Sequence, residues 1–140
     1  METVIRLANT YDAEELSLMN YEFNDVKIRT EQVRKSLRKS DEIIAIAKVG
    51  EKHAGFACAQ KFDSFCYEKP QGEITEVYVR KEYRRKGIAS AMVEFLEKRL
   101  SSVGVGEIKI LTGINNEAAI KTYTLSGYKN KTKVVLKKDF

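Results

Sequence analysis

The chain has 140 residues, enough for one domain with one core, and 43% hydrophobic against 32% charged residues is a folded rather than a disordered composition. No apolar run approaches the ~18 residues of a membrane span, the N-terminus lacks a secretory pattern, and Cys58 and Cys66 are neither C-x-x-C nor zinc-spaced. A cytoplasmic protein with free thiols, no bound metal and no membrane partner is expected. The net charge of +5 is uneven: residues 1–25 hold six acids and one base, and the rest hold 24 bases and 14 acids. Without an aromatic-and-basic RNA-binding signature, the excess reads as lysine-rich solvated surface, so nucleic acid is not an expected partner.

Thr3–Leu7 reads as a first strand. Asn9 or Thr10 caps a helix over Tyr11–Glu22, with Leu16, Met19 and Phe23 at helical spacing. Thr30 starts a second helix, Glu31–Lys39. Glu42–Lys48 and Ala54–Phe62 form a hairpin about the turn Val49–Lys52, which leaves His53 exposed to solvent. After a loop, Asp63–Gln71, comes the strand Glu73–Arg80. Gly87–Leu100 is the clearest helix, with Ile88, Ala91, Met92, Phe95, Leu96 and Leu100 along one face. Glu107–Leu111 is a strand, Asn115 or Asn116 caps a short helix reaching Leu125, and Val134–Leu136 lies in a final strand. The order specifies an α/β domain with a mixed, mostly antiparallel central sheet flanked by helices, filling residues 1–140.

The most informative stretch is Val77–Ser90, a strand running through a basic turn into a strong helix. Helix N-termini present unpaired N–H groups and partial positive charge, a natural seat for phosphate. Gly87 and Ala89 are small enough for close approach, and Arg84, Arg85 and Lys86 add charge where a pyrophosphate would sit. Neither the Walker loop nor the dinucleotide fingerprint is present.

Arg84-x-x-Gly87-x-Ala89 resembles the acetyl-CoA signature of the GNAT superfamily of N-acetyltransferases. Asn116, Ala119-Ile120, Tyr123 and Gly127-Tyr128 resemble its second signature, and Gly50 and Gly55 resemble its hairpin turn. The resemblance implies an enzyme that moves an acetyl group from acetyl-CoA to a primary amine in a ternary complex. It implies that Arg85, Lys86, Gly87, Ile88, Ala89 and Ser90 hold the pyrophosphate on backbone amides, with Arg84 beside them. It implies that Val77, Tyr78 and Val79 bind the pantetheine arm through backbone groups, and that Asn116 either bonds that arm or caps its helix. It places the general acid at Tyr123, against the plainer reading of a packing residue. The base falls to Glu76 or Glu73; strict alternation puts these on opposite faces, and a bulge between them would change that parity.

The acceptor is constrained less. Glu22, Phe23 and Asp25 lie where the superfamily walls the acceptor, and the acids there suit a cationic amine. Phe23–Val26 and Glu76–Ala89 are similar to segments of aminoglycoside 3-N-acetyltransferases. Alternatives are a peptide, amino-acid or protein amine, or a sensor module that holds acyl-CoA without turnover. Only 13 residues follow Gly127, fewer than the family's usual closing hairpin, so a homodimer is expected to complete that side.

Overall fold

The computed structural model describes residues 2–140. Strand β1 (Thr3–Leu7) is followed by a short 3-10 turn (Thr10–Asp12), helices α1 (Ala13–Asn24) and α2 (Thr30–Lys39), and strands β2 (Ile43–Val49), β3 (Lys52–Phe62) and β4 (Gln71–Val79). A second 3-10 turn (Lys81–Tyr83) leads to α3 (Ile88–Ser102), β5 (Glu107–Ile110) and α4 (Glu117–Leu125). The strands lie in sequence order in one sheet, antiparallel except for the parallel β4–β5 pair. The expected mixed, mostly antiparallel sheet with flanking helices is therefore present. Among the described residues, no helix is long and apolar enough to cross a membrane.

The expected final strand at Val134–Leu136 is absent: residues 128–140 hold no helix or strand. Its side chains favour a strand, but a strand also needs a partner, and these residues pair with neither edge of the sheet.

The sheet has two unlike faces. On one, Ala45, Ala47, Ala54, Ala57 and Ala59 keep the surface low, and α3 lays Ile88, Met92, Val93, Leu96 and Leu100 across it. On the other, Ile46, Phe56 and Cys58 meet Leu16 and Met19 of α1, with Val33 and Leu37 of α2 at the margin. Both helices follow the apolar spacing of the sequence, since each needs one stripe buried and one solvated.

The entry to α1 is fixed by charge. The Asn9 side chain accepts from the Tyr11 N–H (2.9 Å), and the Asp12 carboxylate accepts from the Asn9 N–H (2.8 Å). Asp12 is 2% exposed and also receives Arg6 through both guanidinium nitrogens (2.7 and 2.8 Å) and His53 Nε2 (2.8 Å). Burial alone would raise its pKa; the bonds from Arg6, His53 and Asn9 outweigh that and hold the carboxyl well below the usual range. His53 is thus a largely buried partner of Asp12, not the exposed turn residue that its hairpin position suggested. The turn has only Gly50 and Glu51 at its tip, and α1 packs over the strand that follows.

Asp12→Asn removes one member of this cluster. The expected loss is about 3 kcal/mol, the low end for a broken buried pair, because Arg6 keeps part of its side chain in water. The folded pKa lies below the unfolded value of about 3.9, so the stabilisation is complete above that value and is lost as pH falls through the folded pKa. Urea melts of the two proteins should differ fully at pH 7 and begin to converge only as pH falls below about 4.

Candidate active site

The site begins where β4 loses a neighbour. β5 pairs with β4 only from Gln71 to Ile74. Beyond Ile74 the two strands part, and residues 75–79 of β4 have a partner only on the β3 side. The gap is a pocket of about 120 Å³, walled by Ile74–Val77, by Ile110–Thr112 and by Asn116, Ala119 and Tyr123 of the α4 region, with Phe23 of α1 at one end.

A bulge in β4 sets what faces this gap. Cys58 pairs with Glu76 and Ala59 with Ile74, so Thr75 is the extra residue. Ile74 and Val77 consequently both pack on the α3 side, three positions apart. Glu73 opposite Gln60, Glu76 opposite Cys58 and Tyr78 opposite Phe56 share the α1 side. Strict alternation is therefore broken between the two glutamates, which lie on one face. They remain in different surroundings. Glu73 pairs with Lys109 at 3.7 Å and lines neither pocket. Glu76 accepts from Asn24 Nδ2 (3.0 Å) and borders both the gap and a larger pocket of about 520 Å³ between α1, α2 and the sheet.

The glycine turn follows β4 directly. Arg84 Nε donates to the Val79 carbonyl (2.8 Å), which folds the turn back on the strand end. Arg85 (φ 63°) and Gly87 (φ 78°) are both left-handed, the conformation from which anion-binding nests of N–H groups are built. Such a φ strains any residue but glycine, and Arg85 bears it. Gly87 caps α3 with no side chain to bond the first-turn amides, and a Cβ there would meet nothing within 4 Å. Ile88, Ala89 and Ser90 thus open the helix without side-chain capping. Arg84, Arg85 and Lys86 are exposed and, among the described residues, form no ion pair. Open donors and free cations together suit a pyrophosphate.

Tyr123 borders the gap, its ring edge-on to Tyr128 at 6.3 Å, and burial pushes its phenol pKa up. The Tyr128 hydroxyl donates to Glu97 of α3 (2.7 Å). Asn116 caps α4: its side-chain oxygen accepts from the Ala119 N–H (3.1 Å), while the residue stays on the pocket wall. Val79 packs toward α3 with Val77, and Tyr78 turns its ring against Phe23 (5.1 Å, nearly parallel) and Phe56.

The three acceptor-side residues differ. Glu22 accepts from Arg80 Nε and a terminal nitrogen (3.0 Å each) and from the Tyr78 hydroxyl (2.9 Å). Arg80 holds the Glu22 carboxyl below its usual pKa and largely cancels its field. Phe23 walls the gap. Asp25 ends α1 in a left-handed conformation (φ 57°) and is exposed.

Four neighbours of the site escaped sequence reasoning. Asn24 was detectable only as the i+4 partner of Asn20, whose side-chain oxygen it also bonds (2.9 Å). Thr75 and Arg80 owe their roles to the bulge and to the α1–β4 contact, which no local pattern carries. Glu42 lies just before β2, in the larger pocket, where burial and the nearby Glu76 raise its pKa. The Cys58 thiol beside them is buried and pushed well up, by burial first and then by Glu42 and Glu76; Cys66 is exposed.

Comparisons with known proteins agree with this architecture. The chain matches the model of the Acetyltransferase (GNAT) family over residues 7–128. No curated protein sequence matches it. Among solved structures, an aminoglycoside acetyltransferase from an uncultured soil metagenomic sample superposes with a TM-score of 0.85 at 16% identity, covering 99% of this chain and 95% of that one. A ribosomal-protein-alanine N-acetyltransferase from Brucella melitensis gives 0.82 at 17%, covering 99% and 100%. A transcriptional regulator from Bacillus halodurans gives 0.85 at 20%, also covering 99% and 100%. At these identities the likeness is one of fold.

The strand frame of the site makes its own prediction. A Cβ on Gly55 would lie 2.3 Å from the Tyr78 carbonyl oxygen, backbone against backbone. Gly55→Ala should therefore cost about 1–3 kcal/mol in a urea melt, as overpacking does. Gly113→Ala, where a Cβ meets nothing within 4 Å, should stay within about 0.5 kcal/mol of the wild type.

Proposed function

The chain belongs to the GNAT acetyltransferase family, and we propose that it transfers an acetyl group from acetyl-CoA to a primary amine by direct attack in a ternary complex, the whole chain acting as one catalytic domain. The observation that carries this reading is the parting of β4 from β5 at Ile74. It leaves one strand edge open between a glycine turn with uncapped amides and a pocket bordered by Glu76 and Tyr123.

The residues present fit the cosubstrate. The backbone of Arg85–Ser90 would take the pyrophosphate, helped by Arg84 and Lys86. The free edge of Val77, Tyr78 and Val79 would bond the pantetheine arm as an added strand does. Acetyl-CoA supplies an activated acyl thioester; the protein supplies position and proton transfer.

An alkyl ammonium has a pKa near ~10 and must lose a proton before it can attack. Glu76 is the group we assign to that step, directly or through one water, with Asn24 fixing its carboxylate. Glu73, engaged with Lys109, is the second choice. Tyr123 is protonated at neutral pH as any phenol is, burial raising its pKa further, and so has a proton to give a departing thiolate placed beside it. Asn116, with its oxygen committed to the α4 cap, shapes the wall.

The pocket of about 520 Å³ beside Glu76 lies within the size range of small-molecule sites. It holds two carboxylates, Glu42 and Glu76, with no cationic partner among the described residues. That supports a cationic small molecule as acceptor, aminoglycoside-like in charge. Glu22, paired with Arg80, adds little to the attraction; Phe23 walls the gap and Asp25 is an exposed acid at the end of α1. The other reading is a peptide or protein amine, the class that the Brucella structure's description names for that protein.

Two variants test the assignment. Glu76→Gln should lower the rate of CoA release with an accepted amine by about 10²–10⁴-fold while acetyl-CoA affinity by calorimetry stays unchanged. Tyr123→Phe should lower the rate with the same retention of binding. An unchanged rate in Glu76→Gln transfers the role to Glu73. Acetyl-CoA binding without release on any amine, in a panel that includes aminoglycosides, polyamines and peptides, would favour the sensor reading.

A further inference from the structure

The two cavities of the site meet. The gap between β4 and β5 and the larger pocket of about 520 Å³ share Thr75 and Glu76. An acyl group brought along the gap and an amine entering through the pocket therefore come together at one carboxylate. Across the sheet from Glu76 the pocket holds a second carboxylate, Glu42, just ahead of β2. Acetyl transfer gives Glu76 a task and leaves Glu42 without one.

The floor between the two acids is apolar. Ile44 of β2 pairs with Cys58 of β3, and Cys58 pairs with Glu76 of β4, in one row on the α1 side. Glu42, two residues before Ile44, brings its carboxylate beside the Cys58 thiol. Leu16 of α1 and Val33 of α2 close over that row. Adjacent strands lie ~4.8 Å apart, which puts the two carboxylates roughly 5–10 Å from each other. Burial and the nearby Glu76 raise the Glu42 carboxyl, a cost that an ammonium seated there would relieve. Among the described residues no lysine or arginine lines the pocket, so an acceptor with a carboxylate of its own would meet like charge and no partner.

Resting on the acetyl-transfer reading above, we propose that the acceptor is a straight-chain terminal diamine, one amine at Glu76 and the distal ammonium held by Glu42, which thereby determines specificity. A spacer of roughly four or five carbons sets the nitrogens about 6–8 Å apart, within the separation of the carboxylates. Its methylenes lie on Ile44, Cys58 and Phe56, as an apolar floor requires. The amine at Glu76 gives up its proton to that carboxylate and attacks the thioester carbonyl. The new C–N bond forms, the C–S bond breaks, and the thiolate leaves with a proton; the distal ammonium keeps its own proton throughout. A hydroxyl-rich ring system would leave its hydroxyls unpaired on this floor.

The test compares terminal diaminobutane and diaminopentane with aminobutane, which lacks the second amine, and with free lysine, which is diaminopentane bearing one carboxylate. In the wild type, kcat/KM for CoA release should favour the diamines over both controls by about 10–100-fold, the worth of one charged hydrogen bond. Glu42→Gln should remove most of that ratio. Calorimetry with diaminobutane, run with and without CoA, should show binding that weakens about tenfold or more in Glu42→Gln. This readout needs no turnover: diamine binding that depends on Glu42, with no CoA released on any amine, would leave the pocket assignment standing and sink the acetyl-transfer reading instead. Equal kcat/KM for aminobutane or lysine, a diamine preference that survives Glu42→Gln, or no diamine binding in either titration would each overturn the proposal.

Discussion

Everything at the centre of this molecule depends on one parallel strand pair stopping early. β4 and β5 keep company for four residues on each strand, from Gln71 to Ile74. A full-length pairing would seal the sheet and leave no room between the strands. Stopping at Ile74 exposes the backbone of Thr75–Val79 in the middle of a folded domain, a position that is stable only because β3 holds the other side. The bulge at Thr75 sits at the same place and serves the same end. It turns Glu76 to the α1 side while Val77 returns to the α3 core. The opening and the carboxylate at its edge thus meet at one place along β4.

The two faces of the sheet have different tasks. The alanine-rich face admits α3 closely, which plants Gly87 and the first turn of that helix directly beyond the end of β4. Small side chains here place a helix terminus rather than merely fill space. The opposite face carries larger residues and two shorter helices, which leave a pocket between them. Arg80 spans from the end of β4 to Glu15 and Glu22 of α1, and its guanidinium also reaches the His53 carbonyl of β3. One side chain therefore fixes the wall of one pocket against the strand of the other.

Much of this was legible in the sequence. The element order, the α3 stripe, the glycine turn and the Asn116 cap are local or periodic signals, and each has a local physical cause. What escaped are features that depend on pairing. His53 reads as a turn residue until Asp12 is brought over it from the 3-10 turn that leads into α1. Val134–Leu136 reads as a strand, since propensity says what a segment favours and not whether a neighbour exists. Glu22 reads as free negative charge until Arg80, fifty-eight positions later, neutralises it. The Thr75 bulge changes facing by a single residue, and no composition or spacing rule registers such a change.

The attachment of α4 has a bearing on turnover that goes beyond the chemistry. The helix contributes no fully buried residue; Tyr123 and Tyr128, edge-on to each other, pack against the α3-side core, and the Tyr128 hydroxyl extends to Glu97. An element held by so few contacts opens locally long before the molecule unfolds. The helix that bears Tyr123 is thus a shallowly anchored wall of the cleft. A local opening there would widen the gap beside β4 without disturbing the sheet, since β3 holds the other side of that strand.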